Sequence, residues 1–140
     1  MKLKNFIKAT WELPQNALGA IAVKIYKAKY METYNGVKVY TWHKLSGLSL
    51  GNHIFICAPL YHMSYGKVMI KHEYGHTLQS RKLGWLYLIV IGLPSFICAN
   101  FLQKHREKKG KSYHTFYTEA WADKLGGVER GEEKCQNEKN

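Results

Sequence analysis

The stretch His72-Glu73-Tyr74-Gly75-His76 decides how this chain is read. Positions four apart on a helix lie on one face, about one turn from each other. Two imidazoles at 72 and 76 can therefore bind one zinc ion, and the glutamate beside the first can take a proton from water on that ion. The surroundings predict a helix. Ser64 is the expected N-cap, no proline interrupts Tyr65 to Lys82, Arg81 and Lys82 suit the negative end of the helix dipole, and Gly84 stops it. An amphipathic helix with two surface histidines would show the same pattern, so the motif gains meaning only with a third ligand.

A catalytic zinc takes three protein ligands and leaves one position open. Downstream, Phe116-Tyr117-Thr118-Glu119-Ala120-Trp121-Ala122-Asp123 places two carboxylates four apart, and Asp123 is the only aspartate in the chain. A helix would present both on one face. One could bind zinc while the other holds a ligand histidine through its second ring nitrogen. A solvated acidic face is the alternative. The neighbours Phe116, Tyr117, Ala120, Trp121, Ala122 and Leu125 instead predict a buried helix, where an unpartnered carboxylate is costly.

The two motifs together, HExxH and a later ExxxD, resemble those of the gluzincin zinc metallopeptidases. The wording Glu119-Ala120-Trp121-Ala122-Asp123 is similar to a segment of the membrane-associated members, the CAAX-prenyl and heat-shock membrane peptidases. The resemblance covers only the two motif helices, and the chain's length is closer to that of the minimal single-domain gluzincins. It implies His72, His76 and Glu119 as zinc ligands, Glu73 as general base and acid, Asp123 as orienter of a ligand histidine, and a peptide or protein substrate. It also implies a histidine or tyrosine that stabilises the oxyanion. No motif assigns that residue; Tyr113, His114 and Tyr117 are candidates by type and nearness in sequence. The gap from His76 to Glu119 departs from the pattern, being long and filled by an apolar segment.

At 140 residues the chain is long enough for one core. Residues 1–133 read as a single domain and 134–140 as a disordered tail. Cys57, Cys98 and Cys135 have neither the number nor the spacing of a disulfide framework or zinc ribbon, so reduced thiols in a cytosolic setting are expected. A formal charge of +11 points to nucleic acid or to an anionic membrane. The basic residues cluster beside apolar runs: Lys2, Lys4 and Lys8; Lys24, Lys27 and Lys29; Arg81 and Lys82; and the run from Lys104 to Lys111. No nucleic-acid-binding module accompanies them, which favours the membrane surface.

Residues 85–102, WLYLIVIGLPSFICANFL, are uncharged and at the lower length limit of a transmembrane helix. A single crossing would put His72 and His76 on one side of the membrane and Glu119 on the other. Three resolutions exist: a re-entrant or interfacial helical hairpin turning at Gly92-Leu93-Pro94, a hairpin buried in the core, or a third ligand other than Glu119. Basic flanks at both ends favour a membrane hairpin with both ends on the cytoplasmic side. Residues 1–29, with Phe6, Ile7, Trp11 and Leu13, read as an amphipathic, interfacial helical region.

Asn35-Gly36 between apolar runs predicts a type I′ hairpin, followed by an alternating strand Val37 to Trp42 and a second strand over 52–57. Residues 48–56 are expected to supply an edge strand that could hold an extended peptide by main-chain pairing. Gly75 is expected to let another element approach the motif helix closely. The resulting expectation is an α+β, zincin-like domain: a small antiparallel sheet packed on the motif helix and a glutamate helix. Its function would be zinc-dependent peptide hydrolysis at the cytoplasmic membrane face. A non-catalytic zinc-stabilised membrane adaptor, and a basic nucleic-acid-binding protein with a chance HExxH, are the alternatives.

Overall fold

The computed structural model describes residues 3–44, 46–101, 108 and 116–129. Tyr113, His114, most of the basic run at 104–111, Cys135 and the tail lie outside these residues. The N-terminal region is helical, as α1 (Leu3–Trp11) and α2 (Leu13–Ile25). Pro14 sits in the first turn of α2, where a missing N–H costs nothing. Strands β1 (Lys29–Tyr34), β2 (Val37–Trp42), β3 (Leu48–Leu50) and β4 (His53–Cys57) follow. The short helix α3 (Ala58–Tyr61) leads into the motif helix α4 (Tyr65–Leu83). After a 3-10 turn (Gly84–Leu86) and a π-helical turn (Leu88–Gly92) come α5 (Leu93–Asn100) and α6 (Tyr117–Gly126).

The Asn35-Gly36 turn forms as its sequence predicts, with φ of 47° and 80°. The sheet, however, is mixed rather than antiparallel. Its order is β1-β2-β4-β3, with β2 and β4 parallel and both hairpin pairs antiparallel. The reason lies in β4. Ile54, Phe55, Ile56 and Cys57 are apolar without alternation, and a strand of that kind is satisfied only where both faces are covered. All four are buried, in an interior strand. The short β3, with Ser49 at its centre, takes the edge, so of the expected edge region 48–56 only Leu48–Leu50 is at an edge.

Each face of the sheet carries its own core. Val37, Val39, Ile54 and Ile56 pack against Ile70 of α4, with Met69 and Tyr74 of the same helix beside them. On the other face Tyr40, Trp42 and Phe55 pack against Ala22, with Val23 and Tyr26 alongside. Full burial of each Ile or Val contributes on the order of 1.5–3 kcal/mol. Because β2 and β4 lie at the centre of both cores, this burial fixes α4 against the sheet.

No single described helix is long and apolar enough to cross a membrane. The expected reversal at Gly92-Leu93-Pro94 is absent: Gly92 and Leu93 have helical backbone angles, and Pro94 falls in the first turn of α5. The chain turns back earlier. Gly84 adopts φ 56°, and the helical stretches 65–86 and 88–98 meet at a bend of 118°. A left-handed residue ends α4 at low steric cost, whereas a proline in a first turn does not break a helix.

Candidate metal centre

Helix α4 starts and stops where its sequence predicts, although Ser64 has helical angles and makes no side-chain cap. Its buried side is unusually polar: His72, Glu73, His76, Thr77, Gln79 and Ser80 all point inward. The partner for this face is α6. That helix begins at the extended Phe116 and ends at the left-handed Gly127, whose N–H caps the Asp123 carbonyl. Its inward face is Thr118, Glu119, Ala122 and Asp123, while Tyr117 is exposed.

The two helices touch backbone to backbone. A Cβ added at Gly75 would lie 1.8 Å from the Ala122 carbonyl oxygen, and one at Gly126 would lie 1.9 Å from that of Lys71. Gly75 thus admits the close approach expected of it, and the approach brings the two motifs together.

His72 Nε2 lies 2.9 Å and His76 Nε2 3.1 Å from Glu119 Oε2. The three residues are buried, and their potential ligand atoms all fall within 4.8 Å of one another. Two atoms about 2.05 Å from one tetrahedral ion stand roughly 3.3 Å apart, so the two histidine-to-glutamate distances are close to those of a filled site. The outer ring nitrogens are also held. His72 Nδ1 is 2.5 Å from Asp123 Oδ1, and His76 Nδ1 is 2.7 Å from Gln79 Oε1. Gln79 Nε2 donates in turn to the Thr118 carbonyl at 2.8 Å, which fixes the orientation of its amide. With both Nδ1 positions facing acceptors, each ring keeps its Nε2 for the shared space. A His-His-carboxylate set with oriented imidazoles suits a metal ion.

Electrostatics agree. Burial opposes charge on His72, but its bonds to Asp123 and Glu119, with the nearby Glu73 charge, outweigh it and raise its pKa to about 10. His76 is raised for similar reasons, against its own burial. Glu119 is held well below the usual carboxylate range: burial works against its charge, and the bonds from both histidines win.

Glu73 is buried beside the triad without belonging to it. Burial raises its pKa, and the two histidines oppose the shift. The backbone before β3 lies against it, since a Cβ at Gly47 would fall 2.3 Å from Glu73 Oε1. Strand β3 is fastened to α4 by the Ser49 and Thr77 hydroxyls, 2.9 Å apart.

Among the oxyanion candidates, Tyr117 donates its hydroxyl to the Val90 carbonyl at 2.9 Å. Two residues that the sequence did not single out belong to the site. Gln79 is one; its position three after His76 on the same face was the available signal. Tyr87 is the other. It is buried, its hydroxyl lies 3.5 Å from the Ser49 carbonyl, and its pKa is pushed up by burial and then by the charges of Glu73 and Glu119. Its hydroxyl therefore stays protonated and can donate. A polar chain also links α5 to the triad, from Ser95 Oγ to Thr118 Oγ1 at 2.7 Å and on to Glu119 Oε1 at 3.2 Å.

Comparison with protein-family models, with curated proteins and with solved structures gave no match to this chain.

Proposed function

We propose that this chain is a zinc-dependent peptidase of gluzincin type. The observation that carries the reading is the division of labour at the site: His72, His76 and Glu119 converge, while a second buried glutamate, Glu73, stands beside them outside the ligand set. A site that only binds metal has no use for that acid. Zinc held by the triad would supply Lewis acidity and bring the pKa of water towards neutrality. Asp123 and Gln79 hold the imidazoles in the tautomer that presents Nε2. Glu73 takes the proton of the attacking water and delivers it to the leaving amine. Tyr87 donates its hydroxyl hydrogen to the carbonyl oxygen as charge develops there. An extended peptide would pair with the edge strand Leu48–Leu50, next to Gly47 and Glu73.

The test is metal content and peptide hydrolysis of the wild type, Glu73→Gln and Glu119→Ala. Glu73→Gln should keep its zinc and lose about 10²–10⁴ in rate, and Glu119→Ala should lose the zinc. A wild type purified without zinc, or an active Glu73→Gln, refutes the reading.

The enclosure of the site favours a second reading, a non-catalytic zinc-stabilised protein. His72, Glu73 and His76 are each 7 % exposed or less, and Glu119 1 %. A small hydroxamate separates the two. It should inhibit and stabilise a peptidase with an open fourth position, and leave a closed structural site unchanged.

A further inference from the structure

The segment after the motif helix is amphipathic in its burial but not in its composition. Tyr87, Ile91 and Cys98 face the interior, whereas Trp85, Ile89 and Phe96 on the outer side are each more than half exposed. The outer side is therefore as apolar as the inner one. Helix α1 repeats this pattern, with Leu3, Phe6 and Ile7 exposed at the spacing of a single helix face.

The two patches adjoin. The Trp85 indole N–H donates to the Thr10 carbonyl at 2.5 Å, and the Trp11 indole N–H donates to the Arg81 carbonyl at 3.1 Å. Both tryptophans are about half exposed beyond those bonds, a polar edge satisfied and an apolar ring presented. Exposed apolar surface on this scale marks a binding face.

The charges around it select the partner. Glu12 is the only acid before Glu32, and it is buried and accepts a hydrogen bond from Ser80 at 2.6 Å. From Tyr74 to Arg106 the sequence contains no acid at all. Lys4 on α1, Lys24 on α2 and Lys82 at the end of α4 are exposed. A face with apolar side chains, tryptophans at its seam and cationic residues on the flanking described elements fits the boundary between the headgroups and the acyl chains of an anionic bilayer. A nucleic acid would use the lysines and leave the apolar residues unexplained.

We propose that α1 and residues 85–101 form one membrane-docking face that lies in the surface of an anionic bilayer without crossing it. The proposal concerns where the protein sits and does not depend on Glu73 acting as a base. Its test measures binding alone.

The experiment is flotation of the full chain with phosphatidylcholine vesicles, with and without phosphatidylglycerol, at low and high salt. Wild type should float with the anionic vesicles, more weakly with neutral ones, and less as salt rises. The exposed-site variants Phe6→Ser and Ile89→Ser should each weaken partitioning by about tenfold, with circular dichroism and metal content unchanged. If either variant folds poorly, Phe6→Gln and Ile89→Gln replace them in the same assay. Three outcomes overturn the proposal: no vesicle binding, binding that the variants retain in full, or self-association that the same substitutions abolish, which would give the face to a second copy of the chain. Salt-sensitive binding to an oligonucleotide in place of vesicles, unaffected by the variants, would also overturn it.

Discussion

Replacing Gly75 by alanine tests whether the centre depends on the approach of two backbones. The new Cβ would sit 1.8 Å from the Ala122 carbonyl oxygen, where ordinary contact begins at 3.4 Å. The obstacle is backbone inside a helix, so no side chain can rotate away, and α6 must retreat by about 1.6 Å. Overpacking of this kind costs about 1–3 kcal/mol, or a fall in Tm of roughly 3–12 °C for a chain of this length. The effect on metal should be larger, because His72 and His76 lie on one helix and Glu119 on the other. Metal–ligand distances tolerate about 0.2 Å, so Glu119 leaves the set and zinc affinity should drop by more than about 100-fold, beyond the effect of losing an orienting partner. Competition with a chromophoric chelator measures this directly. Gly92→Ala is the control. Its Cβ would meet nothing closer than 3.7 Å, and a helical Gly→Ala change is neutral or stabilising by up to about 1 kcal/mol. Wild-type zinc affinity in Gly75→Ala would show that the ligands do not depend on this crossing, and the account of the centre would fail.

Gln79→Ala frees His76 to take the other tautomer; zinc affinity should fall about 10- to 100-fold, visible in the same chelator competition with little change in secondary structure. Tyr87→Phe removes only the hydroxyl, so kcat should drop about 10²–10³-fold with zinc content and KM nearly unchanged; equal kcat would exclude Tyr87 as the oxyanion donor. Chelated protein should be most stable between about pH 4.5 and 6.5. His72 and His76 are raised above 6.5, so their contribution is complete below that pH and is lost as pH rises, for His72 through about 10. Glu119 is lowered below 4.5, so its contribution is lost as pH falls. Glu73, raised by burial, also favours the folded state less as pH rises above 4.5. Thermal melts across pH, with and without zinc, check this; a chelated protein with its highest Tm near pH 8 would contradict the assignment.

The parts of this molecule that were legible in the sequence are those set by local geometry. Four-residue spacing placed His72 with His76 and Glu119 with Asp123, the Asn35-Gly36 pair specified its turn, and Gly84 ended α4. The polarity of the sheet was not legible, because turn residues fix the two hairpins separately and say nothing of how β2 and β4 meet. The unbroken apolar run of β4 held that information, in the form of a demand for cover on both faces. The hairpin was misplaced because Gly92 and Pro94 read as breakers by type, whereas a proline in the first turn of α5 is compatible with helix. Tyr87 was hidden inside a segment read only for hydrophobicity, although its hydroxyl is a polar end that the interior must satisfy near the edge strand. Gln79 acts on His76, three residues before it, but the Thr118 carbonyl that fixes its amide lies on a distant helix, a contact that no short-range pattern encodes.

His76 and Glu119 are 43 positions apart, and the stretch between them includes the whole apolar segment. An ion shared by these residues would close that stretch into a loop. A cross-link over a loop of this length restricts the unfolded chain by about 4 kcal/mol at room temperature, comparable with the whole stability of many small proteins. On the proposed reading, the centre would be a fastening as well as a reactive site. If the proposed ion and the proposed membrane face are both real, removing the ion would loosen residues 85–101 as well, so attachment and hydrolysis would answer to the same metal supply.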